Sequence, residues 1–271
     1  MAVAAGGSVR LRDIFGKSFR LYGRHFVDFS FLAAIAISPF YVMVLATGPT
    51  GLASPAWAVM GISMILVSPL LANGAITYGV VQDLHGRPAD MLETLGALAP
   101  RLLPMISVAI SLTLLVALGA LLAAILLTAV RGVLPMSDAA LGGWMLLPPT
   151  AVVLCIFFVA APMCVAERAG FVKSLWRSRL LTKGHRWQIF GTLIVILVPD
   201  IVVSAAARMV ALSMRGYTGR LIADNVVQIA VSWIVETIYI AFLSVVTAVF
   251  YYKLRAAKDG VVHAKVADVF E

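Results

Sequence analysis

Basic side chains and tryptophans are concentrated in one stretch of the sequence, between residues 168 and 187. Guanidinium and ammonium groups bind phosphate, and tryptophan prefers the headgroup level of a bilayer, here at Trp176 and Trp187. The stretch therefore predicts a surface that binds lipid phosphates. The alternative is a charge cluster that only fixes the orientation of the chain in a membrane. The candidate binding residues are Arg168, Lys173, Arg177, Arg179, Lys183, Arg186 and Trp187.

Polar side chains inside long apolar stretches form a second group of candidates: Asn73, Asp200 and Glu236. At ~1.5 Å per residue, both acids fall near the middle of a ~30 Å hydrocarbon core, on two successive stretches that could bring them together. Ionisable groups at such depth are costly and often mark a transport pathway. The alternative is that Asp200 marks the outer end of its stretch and Glu236 is a neutral packing group.

The sequence carries no motif of the common catalytic sites, such as G-x-S-x-G, H-E-x-x-H or a P-loop. The four histidines lie outside the apolar stretches, beside basic or polar residues, so we expect solvated side chains. Cys155 and Cys164 are nine residues apart, which places them on opposite faces of a helix as free thiols. We therefore expect no enzyme activity, no cofactor and no metal site. The histidines are His25, His85, His185 and His263.

The composition excludes a water-soluble fold. Hydrophobic residues make up 62% of the 271 residues and charged residues only 13%, whereas a soluble domain is nearer one half and one quarter. The whole chain, 1–271, is therefore expected to be a single integral membrane domain. The net charge of +8 is typical of loops on the cytoplasmic side of a membrane, and we do not expect a nucleic-acid partner.

Six apolar stretches reach the length of ~20 residues that a spanning helix needs. Most of the 21 lysines and arginines fall in the segments on one side of these stretches, which the positive-inside rule places in the cytoplasm together with both termini. The sequence thus predicts an all-α, polytopic helical bundle with about six transmembrane helices. The stretches are Phe26–Thr47, Trp57–Val81, Leu102–Val130, Trp144–Val165, Trp187–Ala211 and Val226–Tyr252.

Each pair of apolar stretches is preceded by a cytoplasmic segment that predicts a helix of its own. In the first of these segments, apolar and basic residues fall on opposite faces, as in an amphipathic helix lying in the headgroup layer with its aromatic side toward the lipid. Ser18 and Pro39 have counterparts in Ser174 and Pro199, which suggests a threefold internal repeat. The predicted division is 9–25 interfacial helix, 26–81 hairpin 1, 87–165 interfacial helix and hairpin 2, 170–252 interfacial helix and hairpin 3, and 253–271 cytoplasmic tail.

Three stretches carry a family resemblance: Leu11–Phe26 (LRDIFGKSFRLYGRHF), Ala161–Phe190 (APMCVAERAGFVKSLWRSRLLTKGHRWQIF) and Tyr251–Arg255 (YYKLR). They resemble a group of bacterial six-span membrane proteins that includes the membrane domain of some glycerophosphodiester phosphodiesterases and the YciC-like inner-membrane proteins. The resemblance implies the bacterial inner (cytoplasmic) membrane. The phosphodiesterase activity of the fused enzymes lies in a separate soluble domain and is not implied here. Lys253 stands where the family often has an acid.

The sequence favours a non-enzymatic scaffold or accessory protein. Its basic cytoplasmic face would contact anionic lipid headgroups, a membrane protein partner or a second copy of the chain. The alternative is a small transporter or permease subunit that uses Glu236, Asp200 and Asn73.

Overall fold

The computed structural model is helical, and no strand occurs in the residues that it describes. These are 11–51, 55–84, 96, 102–130, 148, 150–166, 170–214 and 221–267. The predicted all-α class is confirmed for this part of the chain. Arg168, His85 and nearly all of the interfacial helix expected before hairpin 2 lie outside the described residues.

Eight helices define the architecture within the described ranges. Between α4 and α5, residues 150–157 are also helical, and a turn at Phe158 and Val159 separates them from α5. The last helix is 47 residues long, so most of the segment expected to be a tail from residue 253 onward continues it. The helices are α1 (Leu11–Arg24), α2 (Phe26–Gly51), α3 (Pro55–Leu84), α4 (Leu102–Val130), α5 (Ala160–Ala166), α6 (Phe171–Thr182), α7 (Arg186–Met214) and α8 (Leu221–Ala267).

Four helices are long and apolar enough to cross a membrane, counted over the described residues. A shorter apolar helical stretch, Thr150–Val165, adds to them. Many large apolar side chains on α4 and α7 are exposed at the surface of the bundle, which is favourable only where acyl chains surround them. The structure therefore supports the predicted class of multi-pass helical membrane protein. The four candidate spans are Phe26–Thr47, Leu102–Gly119, Arg186–Ala207 and Val226–Lys258.

Helix α8 is the centre of the packing, because it contacts α1, α2, α3, α5, α6 and α7. Its middle section is fully buried and contains small side chains such as Ala241, Val245 and Ala248. Small residues let neighbouring helices approach closely, which is the main source of helix association in lipid. Its buried hydroxyls are also satisfied, since Ser244 Oγ donates to the carbonyl of Ile240 at 2.7 Å.

A second close approach joins α3, α4 and α5 at Gly74. A Cβ atom at this position would overlap the end of the Met105 side chain on α4 and press on Val165 of α5. Glycine is therefore required unless Met105 changes its rotamer, and the three helices meet over its bare backbone.

Helix α1 packs against protein along part of its apolar face. Ile14, Leu21 and Tyr22 are buried, and the Tyr22 ring lies 5.7 Å from the ring of Phe242 on α8. Lys253 of α8 also pairs with Asp13 of α1 at 4.0 Å. Phe19 on the apolar face is 62% exposed, so α8 covers this face only in part, and the predicted contact of the remainder with lipid stays a prediction.

The sequence analysis predicted that the side chain of His25 is solvated, and this prediction was wrong. His25 lies in the turn between α1 and α2, and its Nε2 is 3.0 Å from Oδ1 of Asp83 at the end of α3. Its Nδ1 is 3.6 Å from Oδ2 of Asp28. The imidazole therefore lies between two carboxylates and joins the turn between α1 and α2 to the C-terminal end of α3.

The break before α5 is stabilised by side chains of α6. Pro162 has no N–H, so it cannot donate to the carbonyl of Phe158, where the helix is interrupted. Beside the break, the carbonyl of Ile156 accepts hydrogen bonds from Ser178 Oγ and Thr182 Oγ1, both at 3.1 Å. Irregular backbone at membrane depth requires such partners, and both hydroxyl residues are fully buried.

Removing both hydroxyls should therefore destabilise the protein. For the double variant Ser178→Ala, Thr182→Val we expect a loss of about 1–2 kcal/mol, because each buried hydrogen bond is worth roughly 0.6–1 kcal/mol. The thermal unfolding midpoint in detergent measures this loss. The matched control is Ser107→Ala, Thr113→Val on α4, where each hydroxyl bonds only a carbonyl of its own helix. Equal midpoints for the two double variants would contradict the capping role.

Candidate functional site

A basic cleft lies where α6 turns into α7. It is lined by Trp176, Arg179, Leu180, Lys183 and Arg186 and encloses about 380 Å³. A volume of this size lies within the range of pockets that hold small molecules, roughly 300–1,000 Å³. The cleft therefore has room for a ligand larger than a single ion.

The orientation of α6 exposes the residues that line this cleft. The helix buries one face that contains Ser174, Ser178, Leu181 and Thr182. Trp176, Arg179, Leu180 and Lys183 occur at spacings of three and four residues on the other face, so they share one side of the helix.

The exposed face of α6 is unusual because it is partly apolar. Val172, Trp176 and Leu180 follow one another at intervals of four residues, and they are 63%, 63% and 49% exposed. The polar hydroxyls of this helix face the protein and a row of apolar side chains faces outward. This arrangement is unfavourable in water and favourable against acyl chains. It explains why the sequence of this segment does not separate into a polar and an apolar face in the usual way.

The turn from α6 to α7 places Arg186 at the same cleft. Gly184 has φ of +94°, a conformation that side chains with a Cβ rarely adopt. This residue allows the chain to reverse within residues 183–185, so that α7 begins at Arg186.

Three cations therefore converge without an opposite charge. Arg179, Lys183 and Arg186 form no ion pair with a carboxylate within the described ranges. Lys258 of α8 adds a fourth positive charge behind them. Its Nζ donates to the carbonyl of Leu180 and, at 3.1 Å, to the carbonyl of Lys183. An anion in the cleft would relieve the mutual repulsion of these groups.

Lys258 is a residue that the sequence analysis missed. Its ammonium group binds carbonyls at the end of α6, where a helix has unsatisfied acceptors and a partial negative charge. The contact joins residues 78 and 75 positions apart. Such a separation carries no local signal in the sequence, because Lys258 belongs to a basic segment that looks like a solvated tail.

His185 lies in the same turn. The sequence analysis expected a solvated side chain here, but this imidazole is partly buried. Burial lowers the pKa of this imidazole, the nearby Lys258 lowers it further, and a hydrogen bond to the backbone of Lys183 partly offsets both effects. Its Nδ1 is buried without a hydrogen-bond partner in the described structure. The ring therefore remains neutral at pH 7 beside a positively charged cleft.

The predicted phosphate-binding residues divide into three groups. Arg179, Lys183 and Arg186 line the cleft. Lys173 is exposed on α6 outside the lining, and Arg177 is partly buried on the same helix. Trp187 is 85% exposed beside the cleft, with its ring 6.1 Å from that of Phe190. Arg168 lies outside the described residues.

The acids predicted in the apolar stretches are brought together in part. Asp200 on α7 and Glu236 on α8 are close enough for their charges to interact. Oδ1 of Asp200 is buried, and no hydrogen-bond partner for it occurs among the described atoms. Asn73 lies on α3, where its Oδ1 accepts a hydrogen bond from Thr77 at 3.3 Å.

Metal-binding side chains and similarity to other proteins were the two remaining sources of information on the site. The described residues contain no group of three or more histidine, cysteine, aspartate or glutamate side chains that could hold a metal ion. No protein-family model, curated protein or solved structure matches this chain.

The lowered pKa of His185 predicts a pH-dependent stability. The unfolded chain binds a proton at this histidine near its ordinary pKa of about 6.5, whereas the folded chain does so only at lower pH. The contribution of His185 is therefore fully present above about pH 6.5 and is lost as the pH falls toward the folded pKa. In detergent, His185→Gln should show a smaller decrease of the unfolding midpoint between pH 7.5 and 5.5 than the wild type. Lys173→Gln should keep the wild-type decrease, and an unchanged decrease in His185→Gln would contradict the assignment.

Proposed function

We propose that this protein is a non-enzymatic scaffold or accessory protein of the bacterial cytoplasmic membrane, and that its basic cleft binds the phosphates of anionic lipid headgroups. The observation that carries the proposal is the convergence of Arg179, Lys183 and Arg186 on one cleft without a carboxylate partner in the described chain. Guanidinium groups bind phosphate, like carboxylate, with two parallel hydrogen bonds.

The position of the cleft supports a lipid rather than a soluble ligand. The candidate span Arg186–Ala207 begins at a residue that lines the cleft, so the cations lie at the headgroup level of a bilayer. Trp176 and Trp187 are exposed on either side of the turn, at the depth that tryptophan prefers. The apolar row of α6 adds a surface for acyl chains next to the cations.

The proposal includes six membrane spans, with both termini in the cytoplasm. Four are the apolar helices already described. The other two would be α3, whose 30 residues measure about 45 Å, and the stretch Thr150–Val165 extended toward residue 144. The family resemblance belongs to the same proposal. In this chain Lys253, which replaces the acid frequent in that family, pairs with Asp13.

The proposal also includes internal repetition, which a constant spacing supports. Adding 160 to a residue number from 12 to 22 gives a residue of the same burial in α6, except that Lys17 is exposed and Arg177 partly buried. The spacing also relates His25 to His185, whose carbonyls accept from the amides of Phe29 and Ile189, both at 3.0 Å. Ser18 then corresponds to Ser178 and not to Ser174, which shifts the pairing suggested by the sequence by one helical turn. The buried pairs are Ile14 and Ser174, Ser18 and Ser178, Leu21 and Leu181, and Tyr22 and Thr182.

The packing of these helices follows the same relation. Helix α1 packs on α8, the last helix of the third unit, and α6 packs on α5, the last helix of the second. A unit here is one interfacial helix together with the hairpin that follows it. If the three units form a ring, the third unit precedes the first, and in both contacts an interfacial helix lies on the final helix of the preceding unit. Tyr22 meets Phe242 in the first contact, and beside the second contact Thr182 meets Ile156 of the helical stretch 150–157 that precedes α5.

Neutralising the cleft should weaken lipid binding. For Arg179→Gln, Lys183→Gln, Arg186→Gln we expect at least tenfold weaker binding of phosphatidylglycerol, because each basic residue near an anionic lipid surface contributes about 1 kcal/mol. Native mass spectrometry of the detergent-purified protein, titrated with phosphatidylglycerol, measures this. The control variant Arg12→Gln, Lys17→Gln, Arg20→Gln removes the same charge from exposed residues of α1 and should retain affinity within threefold. Equal losses in the two triple variants would contradict a specific site.

The topology can be checked independently. Fusions of a fluorescent reporter that matures only in the cytoplasm should be bright at both the N-terminus and the C-terminus, because the basic segments of both ends remain on that side. A bright signal at one terminus together with a dark, stably expressed fusion at the other would exclude an even number of spans.

A transporter or permease subunit is the second candidate. Its support is the presence of Asp200 and Glu236 on two helices that pack together, α7 and α8, and the buried Oδ1 of Asp200, whose carboxyl group also bonds Ser204, since ionisable groups at such depth are often functional. The lipid titration tests the cations of the cleft and not the two acids, so it distinguishes the two candidate functions. The variant Asp200→Asn, Glu236→Gln would leave lipid binding at the cleft unchanged.

A further inference from the structure

We propose that the basic cleft selects a lipid headgroup with two phosphates joined by a short polar bridge, the cardiolipin class, over headgroups with one phosphate. This inference rests on the proposed function, since it names the lipid class that the same cleft would take. It follows from the charge of the cleft, the placement of its arginines, its volume and its apolar border.

The charge of the cleft exceeds what one phosphate can neutralise. Arg179, Lys183 and Arg186 carry three positive charges, and the charge of Lys258 acts on Lys183 from behind. A lipid with a single phosphodiester brings one negative charge and leaves the cations largely uncompensated. A headgroup with two phosphodiesters brings two negative charges at a fixed short separation, which compensates more of the repulsion for one binding event.

The two arginines are placed on two different helices. Arg179 belongs to the last turn of α6, whereas Arg186 is the first residue of α7, and its charge reaches Cys155 in the neighbouring stretch 150–157. Each guanidinium group can hold one phosphate with paired hydrogen bonds. Lys183 lies between them in the turn, and its ammonium group has no such directional requirement, so it can contact either phosphate.

The volume and the border of the cleft agree with a lipid of this kind. About 380 Å³ is within the range that encloses a small organic molecule rather than a lone ion. Trp176 and Leu180 of the apolar row lie in the lining of the cleft, and Val172 precedes them by one helical turn on α6. Acyl chains attached to a headgroup in the cleft would cover this row, whereas a soluble diphosphate would leave it exposed.

The test compares two lipids and one soluble ligand on the detergent-purified full chain by native mass spectrometry. The ligands are cardiolipin, phosphatidylglycerol at twice the molar concentration so that phosphate is matched, and inorganic pyrophosphate as competitor. We expect cardiolipin to bind at least tenfold more tightly per phosphate than phosphatidylglycerol. We also expect pyrophosphate not to displace it at equal phosphate.

Single substitutions identify the source of the preference. Arg179→Gln and Arg186→Gln should each reduce the preference for cardiolipin to about threefold or less, because each leaves one arginine for one phosphate. Lys173→Gln, an exposed cation of α6 outside the lining, should keep the full preference. A chain that fails to fold is recognised by its thermal midpoint, and Arg179→Lys and Arg186→Lys then serve as milder variants with the same expected direction.

The contrary outcomes are distinct for the two proposals. Equal binding of both lipids per phosphate, with both affinities still reduced by the arginine variants, would overturn the selection and leave the lipid site in place. Displacement of cardiolipin by pyrophosphate would overturn it in favour of a soluble diphosphate ligand. Binding of both lipids that none of the cleft variants changes would overturn the inference and the proposed function together.

Discussion

The hydrogen bonds from Ser178 and Thr182 to the carbonyl of Ile156 determine how α6 is oriented. A backbone carbonyl beside a break in an apolar helix needs a donor, and apolar surroundings offer none. Because α6 supplies that donor, its hydroxyl face is directed into the protein. Its cations and its apolar row are consequently directed outward. The basic cleft is thus a consequence of how the chain satisfies one interrupted helix.

A second constraint comes from the position of α8. This helix contacts most of the bundle, and its Lys253 and Lys258 reach α1 and α6 respectively. Helices α1 and α6 are therefore both attached to the same central element. Each attachment uses a lysine whose long side chain reaches from the buried helix to a polar partner.

Much of the fold could be predicted from hydropathy and charge, because the solvent is lipid. The bounds of the first candidate span, Phe26–Thr47, were predicted as the structure has them, since an apolar run preceded by basic residues is a strong local signal. The break at Phe158 and Val159 was not predicted. Pro162 lies inside an apolar run, and nothing local shows whether a neighbouring helix will cap the freed backbone.

The candidate site was predicted less completely than the fold. Sequence clustering identified Arg179, Lys183 and Arg186, but it could not separate them from Lys173, because only the burial of Ser174 and Ser178 fixes which side of α6 is accessible. His25 was misjudged for a related reason. Its partner Asp83 is 58 residues away, and the approach depends on how α2 and α3 pack.

The length of α8 has a mechanical meaning. An uninterrupted helix of 47 residues measures about 70 Å, more than twice the ~30 Å thickness of the hydrocarbon layer. A continuous helix bends little over such a distance, so a torque or a pull applied near Ala267 would be transmitted along the rod to the contact between Lys258 and α6. A partner that grips this end of α8 would therefore act on the cleft between α6 and α7 without touching the cleft itself.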